Sequence, residues 1–383
     1  MMTKTCSVAW LSPIVMITVL LSACAPAAGS SPSPARGEPA AAAAPSAAPA
    51  GALAEMVAAA RQEGQLTLVY SQNTTGGAEA VPRLADGFNR HYGLQLSVQF
   101  TPGPDMPQMA ARVIQQYQAG RASDTDIFLG SENHIAMLIQ ADALIPVDWA
   151  SWAPNVQDPR LLAPDGVAVE VISTTPGITY NTAKVKSDEA PTSLQDLLQP
   201  RFKGRIASTP YAAIFPELGS PELWGEARAM AYVTALADQV SGLIRAGETE
   251  RIVSGEFDVL AINTNSADAA AWQKRGAPLA HVVPTDAAVL QYRYAGVPRN
   301  APHPNAAKLW INYLLGREAQ DTLFDVAQTD HYLLPGSKTA APIKALEAKG
   351  VQFTPIDVAF VQRNDEAALD RLRDDMQRVL QKR

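Results

Sequence analysis

The stretch Gln65-Leu66-Thr67-Leu68-Val69-Tyr70-Ser71-Gln72-Asn73-Thr74-Thr75-Gly76-Gly77 decides the fold. Leu66 to Tyr70 reads as a short apolar strand, and the Ser/Asn/Thr/Gly run after it is a loop. Beyond the loop, Val81, Leu84, Phe88 and Tyr92 recur at helical spacing up to Gly93. Leu94 to Phe100 alternates as a second strand. Met109, Val113, Ile114 and Tyr117 make another helical stripe ending near Gly120, and Asp126 to Leu129 is a third strand. The order βαβαβ predicts a parallel sheet covered by helices.

The rest of the chain continues in the same style. Val167 to Ile172, Gly177 to Tyr180, Arg205 to Ser208 and Val259 to Ile262 read as strands. Ser193-Leu194-Gln195-Asp196 fits a capping box for a short helix that Pro200 ends. Ser220-Pro221 is expected to start a longer helix with Leu223, Ala227, Met230, Ala231 and Thr234 inward. Asn305 to Leu315 and Asn364 to Gln381 are predicted helices, the latter with Leu369, Leu372, Met376, Val379 and Leu380 inward.

The N-terminus is different in kind. Lys4 precedes an apolar run ending at Leu21, which reads as a signal peptide over residues 1–23. This run is shorter than the roughly 20 residues that span a bilayer. Residues 25–52 are almost entirely Ala, Pro, Ser and Gly, which cannot bury enough surface to offset ordering entropy, so 24–52 is expected to be a linker. The two cysteines, Cys6 and Cys24, lie within the first 24 residues, which excludes a disulfide framework or thiol chemistry in the body.

Composition excludes further classes. Lys and Arg number 31 against 38 Asp and Glu, a net charge of −7, which argues against nucleic-acid binding. HExxH, GxSxG, Walker A and GxGxxG motifs are missing, and the five histidines lack metal-ligand spacing. No enzyme, no cofactor and no resident metal are expected, and the chain is expected to be a monomer.

Several phrases resemble the extracellular solute-binding proteins of ATP-driven importers, in the branch that includes ferric-iron binders. They are Glu63 to Ser71, Gly177-Ile178-Thr179-Tyr180-Asn181-Thr182, Leu194 to Leu198, Phe202-Lys203-Gly204-Arg205-Ile206, and Val297-Pro298-Arg299-Asn300 through Ile311 and on to Gln320. Leu21-Ser22-Ala23-Cys24 resembles the lipobox of bacterial lipoproteins, which implies acylation of Cys24 and an anchor in the cell envelope. The resemblance implies an α/β, two-lobed periplasmic-binding fold of the second type with a ligand cleft between the lobes. Lobe 1 is expected over 53–172 and 279–335, lobe 2 over 173–278 and 336–383, with hinges in Ala168 to Thr175 and Leu279 to Pro284. The implied partners are a small solute, an ABC permease and its ATPase.

Ligands of open α/β sheets sit beyond the carboxyl ends of strands. Four loops there supply candidates: Ser71, Asn73, Thr74 and Thr75; Ser131 and Glu132; Ser208, Thr209 and Tyr211; and Asn263, Thr264 and Asn265. Tyr180 and Trp224 are candidate cleft walls. Ferric binders of the branch present tyrosines just after the strand that here ends at Ile262. Asn263, Thr264 and Asn265 stand in that place, and neutral amides and hydroxyls cannot replace phenolates on hard Fe(III). The expected cargo is therefore a hydrogen-bonded organic solute or oxyanion, with ferric iron or another metal as the alternative. A second alternative is a surface lipoprotein without a transport role.

Overall fold

The computed structural model describes residues 50–72 and 74–382. The signal segment, Cys24, the linker up to residue 49 and Asn73 lie outside the described residues. Helix Ala50–Glu63, which the sequence reading passes over, takes in the last three residues of the Ala/Pro/Ser-rich run. It packs Leu53, Met56 and Val57 against the first core.

Two sheets organise the rest. In the first, β1 (Gln65–Ser71) runs parallel to β2 (Ser97–Gly103), in register from Gln65↔Ser97 to Ser71↔Gly103. A parallel bridge Leu68↔Ile127 brings in β3 (Phe128–Gly130). The predicted βαβαβ unit is thus present, although its second strand lies three residues later, with Leu94 and Leu96 buried ahead of it. Next to β3 lies β10 (Val289–Gly296), antiparallel to β3 and to β4 (Ala168–Thr174), while β11 (Thr354–Ile356) runs parallel to the start of β10. The second sheet has the order β7 (Val240–Leu243), β6 (Ile206–Ser208), β8 (Val259–Asn263), β5 (Gly177–Asn181), β9 (Leu279–Val282).

Each sheet is covered on two faces. Leu66, Leu68, Leu84, Phe88 and Trp310 belong to one core of the first sheet, and Met109, Phe128, Ile135, Tyr292 and Tyr294 to the other. In the second sheet, Ile178, Ile206, Val233, Leu236 and Val259 share a core with Leu372, Met376 and Leu380, while Ala207, Ile252, Phe257 and Leu260 form the opposite one. Fully burying one such side chain contributes about 1.5–3 kcal/mol.

The chain passes between sheets at Thr175-Pro176 and again over 283–288. Both passages touch the expected hinge stretches; Ser173 and Thr174 still pair within the first sheet, and β9 pairs with β5 in the second. The segment from 336 onward has mixed packing. Ile343 and Val358 join the core of Met109, whereas Phe360 and helix Glu366–Gln381 join the second-sheet core.

One helix face departs in part from the expectation, with Leu223 and Met230 half-buried against the second-sheet core as expected. The helix begins only at Glu226, after Gly225 at φ 76, and buries Ala229, Tyr232, Val233 and Leu236. Ala227, Ala231 and Thr234 face outward, because the larger Tyr232 and Leu236 side chains fill the space above the second sheet.

Candidate functional site

After β1 the chain folds back at once, with Thr74 N–H donating to Ser71 O at 2.9 Å. Thr75 takes φ 50, costly for a β-branched residue, and its Oγ1 donates to Thr74 O at 2.8 Å. Gly77, at φ 46, has no alternative residue type here: a Cβ would lie 2.0 Å from Gln72 O. Helix Gly77–Tyr92 starts on these glycines. Thr74 and Thr75 are only 6% and 7% exposed, so the loop turns its hydroxyls inward, while Ser71 is half-buried at the strand end.

The loop after β3 carries more charge. Ser131 precedes helix Glu132–Gln140, and its N–H donates to His134 Nδ1 at 3.4 Å, with Oγ at 2.9 Å from the same nitrogen. The Nδ1 lone pair accepts that bond, so any proton on neutral His134 sits on Nε2. Burial holds His134 down to about 4. Glu132 is 3% exposed, and its Oε2 has no hydrogen-bond partner among the described residues. Burial pushes its carboxyl up to about 7; the charge of Arg293 opposes the shift, and Glu217 and Asp357 add to it.

In the second sheet, Ser208 closes β6 at 1% exposure with Oγ unpartnered among the described residues. Thr209 Oγ1 accepts from Ala213 N–H at 3.2 Å, and Tyr211 is exposed with its hydroxyl accepting from Ala246 N–H at 2.9 Å. Ala212 and Ile214 sit at φ 49 and φ 70, so this loop stores backbone strain. After β8, Asn263 is committed internally. Its Nδ2 donates to Thr179 Oγ1 and to Asp268 Oδ2, both at 3.3 Å, and its Oδ1 accepts from Asn265 N–H at 3.1 Å. Asn265 is exposed and caps helix Ser266–Lys274 through Ala267 N–H at 3.1 Å, and Thr264 is half-buried.

The same network reaches the hinge. His281 Nε2 lies 3.0 Å from Thr175 O, a pure acceptor, so Nε2 carries the proton and Nδ1 accepts from Thr179 Oγ1 at 3.2 Å. Burial holds His281 down to about 4, and the neutral ring fits these roles. Thr175 N–H donates to Ser266 Oγ at 3.4 Å, tying the crossing to the loop after β8.

The two expected wall residues are placed differently. Tyr180 lies on β5 inside the second-sheet core. Trp224 donates Nε1–H to Asp286 O at 2.7 Å and carries the Arg228 guanidinium on its ring at 4.5 Å. The structure therefore gathers Ser71, Thr74, Thr75, Ser131 and Glu132 at one sheet edge, and Ser208, Thr209, Asn263, Thr264 and Asn265 at the other.

Two residues escape the sequence reading. Thr174, the last residue of β4, is buried with Oγ1 unpartnered among the described residues. Glu217, on the short helix Phe215–Leu218, leaves Oε2 unpartnered while Arg373 lies 3.4 Å from Oε1. A cavity of about 240 Å³ lined by Asn133, His134, Met137, Glu217, Phe360 and Arg373 opens between elements of the two sheets. A polar residue closing an apolar strand was the available signal for Thr174; Glu217 offered none. No group of three or more His, Cys, Asp or Glu side chains among the described residues is placed to hold a metal ion.

Comparison with known proteins agrees with the geometry. A family profile described as bacterial extracellular solute-binding protein matches residues 83–353. The Fe(3+)-binding periplasmic protein of Serratia marcescens is 31% identical over 155 residues, 39% of this chain and 43% of that protein, so the match spans less than half of its length. The major ferric iron-binding protein of Neisseria gonorrhoeae is 25% identical over 292 residues, 73% of this chain and 86% of that one. The solved substrate-binding protein of an ABC transporter from Agrobacterium tumefaciens superposes with a TM-score of 0.66 at 17% identity, over 84% of this chain and 96% of the other, and shows the same fold.

Proposed function

Because the chain belongs to the bacterial extracellular solute-binding protein family, we propose that it is the extracytoplasmic receptor of an ABC-type importer. It captures a small solute between its lobes and delivers it to a membrane permease driven by an ATPase. Cys24 is the lipid attachment point after removal of residues 1–23, and the linker lets the monomeric body reach the permease. The first lobe ends near Thr175 and resumes near Val289, and the crossings at Thr175-Pro176 and 283–288 act as hinges.

One observation carries this reading. Three of the nine buried side-chain oxygens left unpartnered among the described residues, Glu132 Oε2, Thr174 Oγ1 and Ser208 Oγ, lie at strand ends of both sheets and at the crossing between them. Such groups each cost about 1–3 kcal/mol unless something satisfies them, and a solute held between the lobes would do so. Ser131, Glu132, Ser208 and Thr209 are the proposed contacts from the original set. Thr74 and Thr75 shape their loop, and Asn263 acts through its tie to the hinge.

The names of the Serratia and Neisseria proteins favour ferric iron as a second reading. Against it stand Asn263, Thr264 and Asn265 where phenolates are expected. A thermal-shift panel separates these readings, since a ligand bound only by the native state adds RT ln(1 + [L]/Kd). An organic solute that raises the melting temperature while ferric nitrilotriacetate does not is the expected outcome. Stabilisation by the ferric complex alone, with a tyrosinate absorption band, would establish the iron reading. A surface lipoprotein without transport would respond to no solute.

A further inference from the structure

The structure places one more charged side chain at the edge where Glu132 sits. Strands β10 and β3 pair Gly296↔Phe128, Ala295↔Leu129 and Tyr294↔Gly130. Continuing that register by one residue sets Arg293 alongside Ser131, where helix Glu132–Gln140 begins. On its other side Arg293 pairs with Ile172, two residues before Thr174, and the register shift follows at Tyr294, leaving Val171 as an extra residue in β4. Tyr292 and Tyr294, one position to either side, are buried in the core of Met109 and Phe128, so alternation directs Arg293 to the opposite face.

Arg293 is only partly exposed, and among the described residues the one hydrogen bond of its guanidinium runs from Nη1 to Tyr292 O at 3.0 Å. Among the described residues no carboxylate lies within 4.0 Å of it, although the exposed Arg160 and the half-buried Arg251 have such partners. A half-buried guanidinium with no carboxylate partner among the described residues keeps donors for a ligand. Its planar fork fits a carboxylate or phosphate in two parallel bonds. Burial holds its pKa below the ordinary arginine value, with the charge of Glu132 opposing.

In the pairing register Glu132 follows Ser131 and Thr174 lies two residues beyond Ile172, each with a buried oxygen unpartnered among the described residues. Glu132 and Arg293 form no ion pair with each other among the described residues, so a molecule carrying both an anionic group and a donor would serve both.

We infer that the solute is a small organic anion whose carboxylate or phosphate group pairs with Arg293, while a hydroxyl or ammonium on the same molecule donates to Glu132. This rests on the receptor reading and names the class of solute that it takes. Ser208, from the other sheet, supplies a hydroxyl that reports closure of the second lobe on the same molecule.

The test uses the purified full-length chain in detergent. Thermal shift followed by calorimetric titration is run with citrate, malate, glutamate, 3-phosphoglycerate and inorganic phosphate, and with glucose, putrescine and ferric nitrilotriacetate. At least one organic anion is expected to stabilise the chain. Its Kd should rise at least tenfold in Arg293→Gln, and less in Arg293→Lys, which keeps the charge and loses the fork. Should Arg293→Gln fail to fold by circular dichroism, the Lys variant alone carries the comparison, and an unchanged Kd there overturns the inference. Stabilisation by glucose, putrescine or iron without any organic anion also overturns it and leaves the receptor intact. Stabilisation by inorganic phosphate alone overturns the requirement for a second donor group. No response to any probe removes the receptor reading as well.

Discussion

Glu132 concentrates the chemistry of the site in one carboxyl group. With its pKa moved from 4.5 to about 7, the folded chain keeps a proton there that the unfolded chain has released between those two values. Rising pH therefore removes stability across that window, and the full penalty stands above pH 7. At about 1.4 kcal/mol per pH unit the shift is worth on the order of 3 kcal/mol. Glu132→Gln should accordingly unfold at higher urea than the parent at pH 8 and at the same urea at pH 4. His134 and His281, both held down to about 4, titrate with the opposite sign but are common to both proteins and cancel. Equal midpoints at pH 8 would mean that Glu132 is solvated. The buried Asp126 carboxylate differs: Oδ2 accepts from Thr67 N–H at 2.6 Å and Oδ1 from His303 N–H at 2.8 Å, stapling β1 to the segment before helix Pro304–Leu314.

At the scale of elements, helix Gly77–Tyr92 shows how a sequence stripe becomes packing. Phe88 is fully buried, edge-on to Tyr92, Trp310 and Tyr313 at ring distances of 5.4, 5.1 and 5.6 Å. Phe88→Ala should cost about 3–5 kcal/mol in urea unfolding, because the three surrounding rings cannot collapse into the space. A loss below 1 kcal/mol would mean that the helix is not anchored there. This stripe was legible because helical spacing and burial agree, and the strands β1, β3, β4, β5, β6 and β8 were legible as short apolar runs. Two things were not. Central strand β10 carries Gln291 and Arg293 between buried residues, so it does not read as an apolar run. In the helix Glu226–Ala237 two stripes compete, and only the sheet beneath it decides that Tyr232 and Leu236 go inward. In the candidate site, strand-end loops were readable from Ser, Thr and Asn clusters. That Asn263 is consumed by Thr179 and Asp268, and that Thr174 Oγ1 is left without a partner among the described residues, follows from pairing between residues far apart in sequence.

For the whole molecule, two sheets are linked through short passages, and Val289 and Ile356 of the first sheet also reach the core of the second. Lys274 Nζ donates to Asp325 O at 2.9 Å between a helix of the second sheet and one packed on the first. Such an exposed bond contributes little, so the relative position of the lobes is open to control by a solute that prefers the closed form. Helix Glu366–Gln381 buries Leu372, Met376 and Leu380 on the second-sheet core. Small-angle scattering of the full-length chain in detergent, with and without the organic anion that gives the largest thermal shift, tests the central claim most directly. Capture between the lobes predicts a smaller radius of gyration and a shorter maximum dimension in the bound state. A rise in melting temperature with scattering curves that superpose would contradict it.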